Sequence, residues 1–327
     1  MPNATSLSIP PSDPSISMGA ALSVAGNICI SLGFQFQRLA NDPRRRIITH
    51  HLLWWCGAAL MALGECGNFT AYGMAPVSLI APLDSVVIVS NVLLSRLLFR
   101  EKISRAGVAC VALMTMGTVT TALNAPKFEG NSMEKSYVFE CILSHRAAAF
   151  LSMTCIAVLF VANPAEWSHV GVSSQAKRLN PFYYCFLCGS TGTLAAISAK
   201  GISTAMGNVI LNRNTDMFSN PSIAWLTYAL FASISISIAL QMKYSHIAFN
   251  GFGSSLVLSV YYIVFTIITV LAGAIIFQET MFERYAPVFF AGLVLTYLGV
   301  FTLSRDDISL YMRTDFDHRH LTRVVVD

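Results

Sequence analysis

The chain is short of charge. Only 12% of its 327 residues are Asp, Glu, Lys or Arg, while 54% are hydrophobic. An ordinary soluble domain carries about 25% charged residues, so this composition excludes that class and points to a chain built to sit in lipid. The first 16 residues are polar, rich in Pro and Ser, and hold no Lys or Arg. A cleavable signal peptide opens on a basic stretch, so none is expected. Disulfide frameworks belong to small secreted domains. Here seven of the eight cysteines fall inside apolar runs and only Cys141 reads as lying in a loop, so no disulfide is expected. Cys185-x-x-Cys188 has no second pair to complete a zinc site, and both read as small packing residues. No phosphate loop, catalytic triad or zinc-protease motif is present, and no nucleophile stands at a suggestive spacing from a base. Those absences argue against an enzyme. The net charge is +4, but no nucleic-acid motif accompanies it.

What the chain does have is a series of long apolar runs. Nine spans are expected, at about 17–37, 53–73, 77–98, 106–124, 147–163, 181–202, 222–242, 253–277 and 284–304. Basic residues gather in alternate loops: Arg38 and Arg44 to Arg46, then Arg96, Arg100, Lys102 and Arg105. Further on come Lys177 and Arg178, Lys243, and Arg305, Arg313, Arg319 and Arg323. The positive-inside rule then puts the N-terminus outside and the C-terminus in the cytoplasm. Asn3-Ala-Thr5 is a glycosylation sequon on the outer side, whereas the sequon Asn68-Phe-Thr70 lies within a span and is expected to go unused.

A short repeat runs through the chain. Leu97-Leu-Phe-Arg-Glu-Lys102 is echoed by Ile275-Ile-Phe-Gln-Glu-Thr280, 178 positions later. The two copies fall on opposite faces of the membrane, as an inverted repeat requires. The expected fold is therefore an all-α polytopic membrane protein with about nine transmembrane helices in two inverted repeats and a linking helix. Its parts are an extracytoplasmic segment 1–16, a first four-helix repeat 17–124, a linking helix with loops 125–180, a second four-helix repeat 181–304 and a cytoplasmic tail 305–327.

Two carboxylates stand out. The second and third spans meet at a turn around Gly73, Met74, Ala75 and Pro76. Glu65 and Asp84 lie about nine residues either side of it. At about 1.5 Å per residue both sit roughly 14 Å below the turn, near the middle of a hydrocarbon core about 30 Å thick. Acids at that depth are costly and mark functional sites. Glu65, Asn68 and Tyr72 share one helix face, and all three offer oxygen, as does Asp84. Oxygen ligands suit hard cations, and magnesium needs few of them because it keeps much of its water. Paired carboxylates can equally load and unload a proton, and spacing does not separate the two uses. A shift of 178 positions sets Lys243 opposite Glu65, His246 opposite Asn68 and Tyr262 opposite Asp84. Lys243 then either neutralises a carboxylate in the cavity or snorkels at a span end. Gln241, Tyr244 and Tyr261 add polar groups around this second hairpin, although Tyr261 and Tyr262 also suit packing or an aromatic belt. Glu101 and Glu279 sit at span ends and read as caps or interfacial pairs. Asp315, Asp317, His318 and His320 read as part of a solvated tail.

At these residues the chain resembles the NIPA family of magnesium transporters, in the drug/metabolite transporter superfamily. The likeness rests on Gly64-Glu65-x-x-Asn68-Phe69-x-Ala71-Tyr72, followed by Ala75-Pro76 and Pro82-Leu83. It continues through Glu101, Gly107, Cys110, Gly117, Ala125-Pro126-Lys127, Lys200-Gly201, Gln241-x-x-Tyr244-x-x-x-Ala248 and Tyr261-Tyr262-x-x-Phe265-Thr266. Asn27 with Ile30-Ser31-Leu32-Gly33 is similar to some members. The resemblance implies cation transport, magnesium first, at the plasma membrane or in endosomes. Members usually carry Gly where Asp84 stands and Asn where Lys243 and His246 stand. The expectation is a divalent-cation transporter working by alternating access. Glu65 and Asp84 would touch the ion, Asn68, Tyr72, Gln241, Tyr244 and Tyr262 would line the pathway, and Lys243 would be a charge partner. No cofactor is expected beyond magnesium as the transported ion. The expected partners are the bilayer, magnesium or another divalent cation, and a second copy in a homo-oligomer, with no nucleic acid. The rival readings are a proton-coupled metabolite exporter and a trafficking or scaffold protein that transports nothing.

Overall fold

A computed structural model of the chain describes residues 14–40, 47–99, 104–125, 135–167, 181–212, 221–251, 254–279 and 286–303. Everything described is helix or short connection: α1 Pro14–Ala40, α2 Ile47–Met74, α3 Val77–Leu83, α4 Ser85–Phe99, α5 Arg105–Leu123, α6 Lys135–Leu143, α7 His145–Trp167, α8 Pro181–Asn212, α9 Pro221–Gly251, α10 Ser254–Ile276 and α11 Ala286–Leu303. A lipid setting forces this choice, because helices satisfy their backbone groups within one segment.

Seven helices are long and apolar enough to cross a membrane, and α6 with α7 makes an eighth as a pair bent by 51°. The expected nine are not reached among the described residues. The difference is α2, whose Glu65 and Asn68 dilute its apolar character, although its 28 residues give it ample length at about 1.5 Å per residue. The second correction concerns residues 135–143. They form α6 where a loop containing Cys141 was expected, and Val138, Phe139 and Cys141 are buried. Ser144 breaks the pair: its hydroxyl accepts the Ala147 N–H at 3.2 Å and so caps α7.

Packing follows small residues. Helices α1 and α2 run antiparallel along a seam of Gly19, Gly26 and Gly33 against Ala71, Gly64 and Gly57. A Cβ on Gly26 would lie 2.7 Å from the Gly64 carbonyl oxygen, and one on Gly64 would lie 2.5 Å from that of Gly26. Only glycine admits backbones this close. Helices α5 and α11 make a similar antiparallel contact through Gly117 and Gly292. Helix α8 is the central post, the most deeply buried of the seven long apolar helices. It touches α2, α3, α6, α7, α9 and α10. The same order of contact recurs in the two parts of the chain. Helix α1 packs on α2 and on α3 and α4, and α8 packs on α9 and on α10.

The largest core lies at the end of the bundle where α2 stops at Met74. It joins Ala71, Tyr72, Val77, Leu79 and Ile80 to Val138, Phe150, Ile197, Phe265, Ile276 and Phe277. The lipid side carries Leu52, Trp55, Leu63, Leu97, Met116 and Leu123, all exposed.

Candidate functional site

The site is built on a break. Helices α3 and α4 form one span, Val77–Phe99, interrupted at Asp84. Pro82 inside α3 cannot donate a backbone hydrogen bond and disturbs the turn before it. The carbonyls around the break are taken by side chains. Ser85 Oγ donates to Pro82 O at 2.9 Å, Tyr262 Oη to the same oxygen at 3.0 Å and Asn27 Nδ2 to Leu83 O at 2.9 Å. Irregular backbone at membrane depth survives when neighbours satisfy it in this way. The Asp84 side chain is thereby held at the hinge of the span, half-buried.

From Asp84 a chain of hydrogen bonds runs to α1 and α2. Asn27 Nδ2 reaches Asp84 Oδ1 at 3.4 Å, Asn68 Nδ2 donates to Asn27 Oδ1 at 2.7 Å, and Ser23 Oγ donates to Asn68 Oδ1 at 3.0 Å. Glu65, one turn before Asn68, is exposed. Tyr72, one turn beyond Asn68, lies in the large core with Leu83, and Tyr261 packs against the same core. Tyr261 accepts a hydrogen bond from Gln241 Nε2 at 2.9 Å and stacks on Phe265 at 5.8 Å between centroids. A Cβ on Gly192 of α8 would stand 3.4 Å from Tyr261 Oη and 3.5 Å from Gln241 Nε2. Six helices thus contribute: α2 brings Glu65 and Tyr72, the α3–α4 joint Asp84, α8 a glycine that makes room, α9 Gln241 and α10 Tyr261.

The other expected residues are placed differently. Tyr262 turns toward the break and lies in a cluster with Cys110, Met114 and Val300, so its hydroxyl serves the backbone at Pro82. Tyr244 is buried between α8, α9 and α10. Lys243 is exposed, its ammonium 5.5 Å above the Tyr244 ring. The side chain of His246, Glu101, the sequon at Asn3, Arg44 to Arg46 and the tail 305–327 lie outside the described residues. Asn68 of the inner sequon is buried. Cys185 and Cys188 are buried, their thiols near the carbonyls of Val257 and Gln241 at 3.6 and 3.7 Å.

Two features escaped the sequence reading. The first is a polar ladder on α1, Ser23, Asn27, Ser31 and Gln35, all buried. Ser31 Oγ donates to Val87 O at 2.9 Å and Gln35 Nε2 to Asn91 O at 3.1 Å. Its signal was the four-residue spacing of polar groups within an apolar span. The second is Lys200, which pairs with Glu279 inside the bundle at 3.8 Å. Nothing local in the sequence joins residues 79 positions apart.

Chemically, two carboxylates, a phenol and amide oxygens at mid-span suit a hard cation that keeps part of its water. Among the described residues no three His, Cys, Asp or Glu side chains converge to make a closed metal site.

Comparison with known proteins places the chain in a family. The family model described as Magnesium transporter NIPA matches residues 15–307. The chain is 27% identical over 255 residues to Probable magnesium transporter NIPA4 of Arabidopsis thaliana, covering 77% of this chain and 70% of that protein. It is 29% identical over 228 residues to Magnesium transporter NIPA1 of Mus musculus, covering 70% of this chain and 67% of that one. Human NIPA-like protein 2 is 26% identical over 304 residues, covering 88% of this chain and 73% of its own. No solved structure matches.

Proposed function

The chain belongs to the Magnesium transporter NIPA family, and from that premise we propose that it carries a divalent cation, magnesium first, across the membrane by alternating access. The observation that carries the reading is the chain of hydrogen bonds that joins Asp84 through Asn27 to Asn68, one turn from Glu65 on α2, with Tyr72 and Tyr261 in the adjoining core. Glu65 is the primary ion ligand and Asp84 the second. The ion arrives hydrated, exchanges part of its shell for carboxylate oxygen, and keeps the rest. Asn27 and Asn68 hold Asp84 in place, and Gln241 orients Tyr261.

The recurrent packing of α1 and α8 supports two repeats, 17–124 and 181–304, linked by 125–180 and moving against each other about the site. Basic loops set the N-terminus outside and the C-terminus in the cytoplasm, at the plasma membrane or in endosomes. Family relatives are named as transporters, and this chain works as one rather than as an enzyme.

The test is magnesium uptake in a transport-deficient cell. Glu65→Gln and Asp84→Asn should each cut uptake at least tenfold at equal surface abundance. Normal uptake in both variants sinks the site. Proton-driven flux that is lost in both variants while cation flux is untouched favours a proton-coupled exporter. Full function of Glu65→Gln with loss on removing 305–327 favours a scaffold.

A further inference from the structure

Lys200 and Glu279 are enclosed charges far from the acid pair. Their side chains are 4% and 0% exposed, with Nζ 3.8 Å from Oε1. Each also grips the turn between α2 and α3. Glu279 Oε1 accepts the Val77 N–H at 2.7 Å, and Oε2 accepts the Ser78 N–H at 2.9 Å and the Ser78 hydroxyl. These are first-turn donors of a helix, which have no acceptor within it. Lys200 Nζ donates to Ala75 O at 2.9 Å. Two details aim the glutamate here. Gln278 takes a left-handed φ of 51°, which turns the chain back at the end of α10. Gly273 leaves room, since a Cβ there would lie 2.5 Å from Glu279 Oε2.

Exposure changes sharply along the same hairpin. Every residue of α3 from Val77 to Leu83 is buried. Beyond the break, Ser85 is the one buried residue of α4, and Val86 to Phe99 are half-buried or exposed. On α2, Ala71 and Tyr72 are buried while Glu65 and Cys66 are exposed. The hairpin is fully covered at the Met74 end and less covered beside the acids.

We propose that Lys200 and Glu279 are the gating pair of the Met74 end, holding it shut in this state and parting to let the ion pass. The proposal rests on the transport reading above. Its chemistry suits a switch. A buried ion pair is favourable only with excellent geometry and full hydrogen bonding, because both charges lose their water. Opening restores that water to Lys200, Glu279 and the first-turn N–H groups together. The closed and open states therefore differ by the small balance of two large terms, which a moving ion can tip. Glu65 is not needed for closure; it is the group whose occupancy the gate answers.

The test uses the full chain in nanodiscs and proteoliposomes, reading hydrogen exchange at the Val77 and Ser78 amides alongside magnesium flux. Pro76 has no amide, so the short peptide reports the two gated groups. Magnesium should speed exchange there severalfold in the unmutated protein and leave Glu65→Gln unchanged. Glu279→Gln should raise exchange at least tenfold without magnesium and lower flux per folded molecule. Flux with an exchange rate at 77–78 indifferent to magnesium overturns the gate alone. Faster exchange in Glu279→Gln with unchanged flux per folded molecule makes the pair a staple and also overturns it. No magnesium flux by the unmutated chain overturns the transport reading instead.

Discussion

Glu65 and Glu279 are both carboxylates inside an apolar bundle, and their surroundings are opposite. Glu279 receives two backbone N–H groups, a hydroxyl and a nearby ammonium. Glu65 is exposed, and among the described residues no side chain bonds or pairs with it. A carboxylate with all its acceptor sites filled has nothing left to offer an ion. One whose oxygens remain open can exchange water for cargo. Proximity to donors therefore separates the two acids by role more clearly than depth in the membrane does.

The comparison can be broken at several strengths. Lys200→Met leaves Glu279 buried without its cation, and removal of one partner of a buried pair typically costs about 3–5 kcal/mol. The expected result is a large fall in thermal stability in detergent, and a fall under 1 kcal/mol would mean that the N–H groups alone satisfy Glu279. Gly64→Ala pushes a methyl against the Gly26 carbonyl at 2.5 Å and should cost about 1–3 kcal/mol by forcing α1 and α2 apart, read by the same unfolding assay. Asn27→Ala removes the donor to Leu83 O and Asp84 and should cost about 1–2 kcal/mol while also lowering magnesium flux, since Asp84 loses its positioning contact. Tyr262→Phe removes one donor to Pro82 O, which keeps Ser85, so about 1 kcal/mol and retained flux are expected. Tyr261→Phe, its neighbour, should instead lower flux with stability intact. Glu65→Gln is the smallest change in stability, within about 0.5 kcal/mol for an exposed group, and at least a tenfold loss of flux. A Glu65→Gln protein that unfolds early would erase the contrast with Glu279.

Much of this was legible before any coordinates. The turn at Gly73 to Pro76 follows from apolar run lengths, whereas the expected shared face of Glu65, Asn68 and Tyr72 divides into an exposed Glu65 and a buried Asn68 and Tyr72. The polar ladder of Ser23, Asn27, Ser31 and Gln35 was present in the same spacing but hidden among small residues that suit helix packing equally well. Tyr261 and Tyr262 are adjacent and chemically alike, so only the rotation of α10 distinguishes the one beside the acids from the one that mends the break. Helix α6 was missed because nine residues make too short a run to be read without the partner it packs on.

By itself, the sequence determined that the chain would be a helical membrane protein and which segments would be apolar. Those properties follow from composition and from the fixed rise of a helix. Tertiary structure alone decided that Glu279 and Lys200 meet at the turn between α2 and α3, and that Glu65 stays exposed. Which donors a carboxylate meets depends on how distant helices pack, and 202 positions separate Glu279 from the Val77 N–H that it accepts.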